Sequence, residues 1–212
     1  MGNRAVITTE ARDLGIYLHW NGGRDSVEAF LRYCELRGFR SPDTDEYGWA
    51  RLCQVIANFM GASGLSVGIS RYTTDKQMDP GDNGVYVIRG WEVVDRVYPY
   101  APFEEENEYP LDAMLLEIDA AQPADQQLGD FLLAEEVPTA SVEIGDVVYV
   151  QQIGGRYEPY PVAGIGDGRV VNGLDTTGVP YVRMYNGDEC ADNVNNYLRT
   201  PTVRRVPKGA CA

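Results

Sequence analysis

Histidine, lysine and paired cysteines are scarce in this sequence, and each shortage makes a class of function less plausible. The 212 residues include one histidine, two lysines and four cysteines. The cysteines form no Cys-x-x-Cys pair and have no partnering histidines, so neither a zinc site nor a thioredoxin-type motif is expected. Two loops rich in Asp and Asn, at 79–84 and 186–193, lack the spacing of a calcium-binding loop. We therefore predict no metal site and no cofactor.

Long apolar runs are missing as well. No segment approaches the roughly 18 apolar residues of a membrane-spanning helix, and residues 1–15 lack the apolar core of a secretory signal. The hydrophobic fraction of 44% and the charged fraction of 24% are typical of a folded globular protein. We expect a cytoplasmic protein that has no membrane partner.

Negative charge, in contrast, is abundant and concentrated. The net charge is −14, and the segment from Glu92 to Glu143 contains fourteen acidic residues against one basic residue, Arg96. Because phosphate contacts need clustered Lys and Arg, direct nucleic-acid binding is not expected. Two interpretations of this acidic block remain open. It is a solvated face that keeps the protein soluble, or its carboxylates imitate nucleic-acid phosphates and dock onto a basic protein.

The second interpretation predicts one ordered acidic surface. Leu111, Met114, Leu115 and Ile118 recur at helical spacing, which indicates a helix within the acidic block. Exposed tyrosines beside the carboxylates are candidates for the anchors that tight binding requires. The predicted interaction surface comprises Glu104, Glu105, Glu106, Glu108, Asp112, Glu117 and Asp119, with Tyr98, Tyr100 and Tyr109 as the anchors.

The first part of the chain, residues 1–136, is predicted to be an α+β domain with an acidic helical segment. Two strands, at 3–9 and 15–20, precede a helix that Asp25 and Glu28 are expected to cap. A second helix should end at Gly61. Further strands are expected at 65–70 and on both sides of a turn near Gly90, which together give an antiparallel sheet with two or more helices on one face.

The second part, residues 137–212, changes to short strands separated by glycine-rich turns. A helical turn is expected at 193–198, directly before the last strand. This order resembles a small SH3-like barrel. Because such barrels carry many unrelated functions, the predicted fold does not define an activity.

The single histidine, His19, is the main candidate for reaction chemistry. On a strand, Ile16, Leu18 and Trp20 share one face, so that His19 points to the other face. A hydrolase would need a cysteine nucleophile beside it, yet Cys34 and Cys53 both fall on apolar helical stripes, where a thiolate is disfavoured. A non-catalytic histidine is favoured, and a Cys/His hydrolase is kept as an alternative.

The first 35 residues resemble a group of phage and mobile-element proteins. That group begins with Met-Gly-x-Arg and has a strand ending in Tyr-x-His-Trp-Asp/Asn-Gly. The matching residues here are Gly2, Arg4, Tyr17, His19, Trp20, Asn21 and Gly22, with Asn21 where Asp is commoner. The resemblance implies an accessory protein of a mobile element rather than a housekeeping enzyme.

Combined with the acidic block, the resemblance favours a non-enzymatic protein that binds a basic host protein. The expected partner is a nucleic-acid-binding component of a defence system, which would make this an inhibitor of the anti-CRISPR or anti-restriction type. A structural or assembly protein is the remaining alternative.

Overall fold

The computed structural model describes residues 2–61, 66–98, 110–152, 156–184 and 194–207. The chain divides into two compact units, Met1–Gln127 and Leu128–Ala212. The division falls nine residues before the boundary that the sequence suggests, because the extended segment after residue 134 pairs with the last strand of the chain. Both units together make the protein α+β. Among the described helices, none combines the length and apolarity needed to cross a bilayer.

The first unit is built on a five-stranded sheet. Its strands are β1 (Ala5–Thr9), β2 (Leu14–Leu18), β3 (Val67–Arg71), β4 (Val85–Arg89) and β5 (Glu92–Val97), arranged in the order β3-β2-β1-β4-β5. The sheet is mixed and not purely antiparallel, since β1 and β4 run parallel. The hairpin partner β2 occupies one side of β1, and β4 pairs with its other side after the chain has passed through α1 (Arg24–Leu36), α2 (Glu46–Met60), β3 and α3 (Asp75–Met78).

Four helices accompany this sheet: α1, α2, α3 and α4 (Leu111–Ala120). As predicted, α2 stops at Gly61, which has a positive φ of 70°. The predicted cap of α1 is wrong. The helix begins two residues earlier, with Gly23 at the N-cap, so Asp25 lies inside the first turn and Glu28 accepts a hydrogen bond from Arg24 Nε at 2.6 Å.

Both faces of the central strands are covered. Ile7 and Ile16 alternate with Val6 along β1 and β2 and are fully buried on the opposite face from it. On the side of Val6, a smaller apolar cluster forms with Tyr72 and Val85, and Met78 of α3 packs against it. Periodicity did not predict α3, because one turn of helix is too short to show a repeat.

The second unit contains a six-stranded antiparallel sheet and a two-stranded ribbon. Val142, Val148, Val162, Val182 and Val203 form its apolar core. The large sheet has the order β12-β11-β8-β7-β13-β6, and the ribbon pairs β9 with β10. The strands are β6 (Glu135–Pro138), β7 (Val147–Gln151), β8 (Tyr157–Ile165), β9 (Val170–Val171), β10 (Leu174–Asp175), β11 (Pro180–Met184), β12 (Val194–Tyr197) and β13 (Thr202–Val206).

This sheet is open over the described residues, and an SH3-like barrel is therefore not confirmed. The helical turn predicted before the last strand is wrong: residues 194–197 form strand β12, whose Tyr197 is paired with Tyr181 of β11. The run of Asn in this segment suggested a turn, but pairing with β11 overrides that local preference.

Candidate interaction surface

Helix α4, in the acidic block, is fixed to the body of the first unit by one apolar face. Met114, Leu115 and Ile118 are buried, and the helix contacts α1 and α2. At its C-terminal end, the hydroxyl of Tyr33 donates a hydrogen bond of 2.7 Å to the carboxylate of Asp119. Apolar burial and this buried polar contact together fix the rotation of α4 about its axis.

A second polar contact fixes the residues just after α4. The side-chain amide of Gln122 donates to the carbonyl of Ile118 at 3.0 Å and to the carbonyl of Val55 at 3.3 Å, and it accepts from Asn58 Nδ2 at 2.9 Å. Because Gln122 is buried, these bonds form in a weakly polar environment where a lost partner is costly. They connect the end of α4 to α2.

The exposed residues of α4, which we call its outer face, mix charge with apolar surface. Asp112 and Glu117 are exposed, and Leu111 and Leu116 keep 42% and 44% of their surface accessible. Helical spacing places Leu111 in line with the buried Met114 and Leu115, yet at the first position of the helix it is exposed. Two leucines beside two carboxylates are a combination that sequence reasoning missed. The sequence did carry a signal for an exposed leucine, since Leu116 does not follow the helical spacing of the buried Met114, Leu115 and Ile118.

The predicted surface residues have three different outcomes. Tyr98 is 51% exposed, and it follows β5 in the left-handed region with a φ of 57°. Asp112 and Glu117 are both exposed on α4. Asp119 is only 6% exposed and accepts the Tyr33 hydroxyl, so it belongs to the interior and not to the surface. The remaining six predicted residues lie outside the described residues: Glu104, Glu105, Glu106, Glu108, Tyr100 and Tyr109.

Arginines of the first unit pair with carboxylates outside the acidic block. Among the described residues of this unit the ion pairs are Arg4 with Asp82, Arg12 with Asp75, Arg24 with Glu28, Arg32 with Glu35, Arg40 with Asp45, and Arg89 with Glu10. Within the described residues, neither Asp112 nor Glu117 forms an ion pair. The outer face of α4 thus keeps its negative charge.

The one basic residue of the acidic block is used internally. Arg96 is buried, donates to the carbonyl of Asn83 at 2.8 Å and to its side-chain oxygen at 3.0 Å, and lies 4.8 Å over the ring of Tyr86. In the second unit, Glu135 lies 3.6 Å from Arg205 and is therefore partly compensated.

His19 lies just after the end of β2, where its ring contacts two aromatic side chains. Its Nδ1 lies 2.9 Å from the hydroxyl of Tyr17, and its ring meets that of Trp20 edge-on at 5.0 Å. The turn that follows is tightly packed: Asn21 has a φ of 53°, and a Cβ at Gly22 would lie 2.7 Å from backbone atoms of Asn3, Arg4 and Ala5. The close approach of Gly22 seats the turn against the start of β1, and the ring of His19 packs between its neighbours Tyr17 and Trp20.

The thiols described by the structure are poor nucleophiles. Burial raises the pKa of Cys34 well above its usual range, and burial also raises the pKa of Cys53. Cys190 and Cys211 lie outside the described residues. Within the described ranges, no three His, Cys, Asp or Glu side chains gather in a way that could hold a metal ion. This geometry does not favour the hydrolase alternative.

Comparison with known proteins identifies no relative. No family model, no curated protein and no solved structure matches this chain. Any functional conclusion must therefore come from its own residues.

Proposed function

We propose that this protein is a non-enzymatic interaction protein that binds a basic protein through the acidic, leucine-bearing face of α4 and the acidic residues adjoining it in sequence. In this proposal it acts as an accessory protein of a phage or mobile element that inhibits a nucleic-acid-targeting defence component, of the anti-CRISPR or anti-restriction type. The observation that carries the binding proposal is that Asp112 and Glu117 remain exposed without ion pairs in the described structure, while six arginines of the same unit pair with carboxylates elsewhere.

Charge of this kind has a defined physical effect on association. Uncompensated carboxylates on one face attract a basic partner over about a Debye length and raise the rate of encounter. Exposed ion pairs contribute little to the final affinity, so the face also needs apolar anchors that are buried on binding. Leu111 and Leu116 supply that apolar surface beside the charge.

The fixed orientation of α4 supports the same proposal. Because Ile118 is buried and Asp119 and Gln122 are hydrogen-bonded to the body of the unit, the outer face is presented without a large ordering cost. A preorganised helix face is a common way to engage a groove on another protein.

Affinity capture from a bacterial host lysate at two salt concentrations tests this proposal. The variant Asp112→Asn/Glu117→Gln should capture less partner than the unchanged protein at low salt, and capture by the unchanged protein should fall as salt rises. A second variant, in which Glu104, Glu105, Glu106 and Glu108 become Gln, tests the rest of the predicted surface. Leu116→Ala should lower the affinity about fivefold or more by removing an anchor.

A control variant distinguishes the loss of charge on α4 from the loss of the same charge elsewhere in the first unit. Glu35→Gln/Glu46→Gln also removes two exposed carboxylates of the first unit, but on α1 and α2 rather than on α4. It should leave capture nearly unchanged. Equal capture by the unchanged protein and by both acidic-surface variants at low salt would rule the proposal out.

We also propose that the second unit is an SH3-like barrel. The order β12-β11-β8-β7-β13 supports this interpretation, since the last strand of the chain lies beside β7 and a short connection joins it to β12. Measured amide hydrogen exchange that shows pairing between the two ends of the sheet would support closure, and rapid exchange along both outer strands would oppose it.

A further inference from the structure

The second unit contains a cavity of about 460 Å³, a size typical of small-molecule sites. Strands β7, β8, β12 and β13 and the connection between β12 and β13 supply most of its wall. Its lining combines tyrosine rings with guanidinium groups, and the side chains that matter most here are Tyr157, Tyr197, Arg199, Arg204 and Glu136.

Two of the tyrosines are held in place by other aromatic rings. Tyr157 stacks on the buried ring of Phe131 at 4.9 Å with an angle of 27° between the planes, and Tyr197 packs on Tyr181 at 5.3 Å. Both tyrosines line the cavity and remain partly exposed. A planar ligand that enters the cavity would therefore meet ring surfaces whose orientation is already fixed, which lowers the cost of binding.

The two arginines provide positive charge at the same wall. Arg204 lies 4.9 Å over the ring of Phe131, so a single buried side chain holds both this guanidinium and the ring of Tyr157. Arg199 is exposed in the connection that follows β12. Neither arginine forms an ion pair with a carboxylate among the described residues. The neighbouring Arg205, in contrast, lies 3.6 Å from both Glu135 and Asp146.

One carboxylate shares the lining, but it is already bonded. Glu136 Oε1 accepts a hydrogen bond of 2.8 Å from the hydroxyl of Thr202. Among the described residues of the lining, two arginines and one glutamate give a charge of +1. This local positive charge contrasts with the net charge of −14 of the whole chain.

We propose that this cavity binds a nucleoside monophosphate, with its base stacked on the tyrosine wall and its phosphate paired with Arg204 and Arg199. Guanidinium groups match phosphate oxygens in a bidentate geometry, and bases stack favourably on aromatic side chains. A polynucleotide is not the expected ligand, since the overall negative charge repels a long polyanion and the cavity limits the size of what it can enclose. The inference is independent of the acidic face of α4.

Isothermal titration of the full-length protein with four probes tests the assignment: adenosine monophosphate, uridine monophosphate, adenosine and inorganic phosphate. At least one monophosphate should bind more tightly than either adenosine or phosphate alone, because only the monophosphate uses both halves of the site. Arg204→Gln should weaken that binding by about ten- to hundredfold, the value expected for losing a charged hydrogen bond.

Two further variants keep the test decisive if Arg204→Gln destabilises the packing on Phe131. Arg199→Gln removes an exposed cation of the lining and should also weaken monophosphate binding. Arg183→Gln is the control: Arg183 is exposed on β11, beside Val182, which lines the cavity from the opposite face of that strand. Binding of phosphate as tight as that of the monophosphates, an equal loss in Arg183→Gln, or no binding by any monophosphate would overturn the proposal.

Discussion

The hydroxyl of Tyr33 on α1 donates a 2.7 Å hydrogen bond to the carboxylate of Asp119 on α4, and both side chains are buried. Burial, and then the adjacent carboxylate, raise the pKa of Tyr33 far above its usual range, which keeps the phenol protonated as the donor. The contact joins residues that are 86 positions apart in the chain. It explains why an acidic residue inside a negatively charged block is not part of the surface.

Removing this donor should destabilise the first unit. In Tyr33→Phe the carboxylate of Asp119 stays buried but loses the Tyr33 hydrogen bond, and we expect the free energy of unfolding to fall by about 2 kcal/mol. Urea denaturation with an unchanged m-value would measure it. The control is Tyr47→Phe, which removes the hydroxyl of an exposed tyrosine on α2 and should change stability by less than about 0.5 kcal/mol. Similar losses in the two variants would contradict the stabilising role of the contact.

Gly84, directly before β4, should be irreplaceable for a reason that Gly90, directly after β4, does not share. Both have a positive φ, at 72° and 62°. A Cβ on Gly84 would lie 2.1 Å from the carbonyl oxygen of Val97, whereas a Cβ on Gly90 meets nothing within 4 Å. Gly90→Ala should therefore cost only the strain of a left-handed residue, about 1–2 kcal/mol.

Gly84→Ala adds a backbone clash to that same strain. Relief of the clash requires β4 and β5 to separate at the point where Val97 approaches, next to the carbonyl of Gly84 that accepts from Val6 of β1. We expect a loss above about 3 kcal/mol, or failure to fold. Thermal and urea unfolding of the two variants side by side would measure the difference, and equal losses would show that conformational strain alone explains both glycines.

Much of the first unit could be predicted from local pattern. The apolar repeat from Trp49 to Phe59 and the stop at Gly61 define α2, because one face of the helix packs and a glycine with a positive φ ends it. The parallel pairing of β1 with β4 could not be predicted, since it joins strands about 80 residues apart and depends on which side of β1 remains free.

For the candidate sites, too, the sequence predicted what depends on local pattern and missed what depends on residues distant in the chain. Clustering of carboxylates was visible in the sequence, but burial of Asp119 depends on a tyrosine in a distant helix. The cavity of the second unit was missed because Tyr157, Tyr197 and Arg204 come from three strands and no local motif connects them. The helical turn expected at residues 193–198 also hid β12, which supplies Tyr197 to that wall.

A cluster of Arg12, Tyr72 and Asp75 beside β1 and α3 predicts how stability varies with pH. The Tyr72 hydroxyl and Arg12 Nε donate to the same oxygen of Asp75, at 2.5 and 2.8 Å. These bonds, that of Tyr72 first, hold the pKa of Asp75 below its ordinary value of 3.8, while burial and then the Asp75 carboxylate raise the pKa of Tyr72 from 10.0 to about 12. One contact thus affects stability at both ends of the pH range.

The two shifts have opposite consequences for unfolding. Below pH 3.8 the unfolded state takes up a proton on Asp75 that the folded state resists, so the stabilisation by this carboxylate is present above 3.8 and is lost as pH falls through its lower folded value. For Tyr72 the stabilisation is present below pH 10.0 and is lost as pH rises towards about 12.

Tyr72→Phe should therefore flatten the alkaline decline in stability, and Asp75→Asn should flatten the acidic decline. Urea unfolding across both pH ranges measures the slopes, with Asp45→Asn as a comparison for a paired carboxylate on α2's N-cap. Slopes in Tyr72→Phe and Asp75→Asn that match those of the unchanged protein would show that this cluster does not govern the pH dependence.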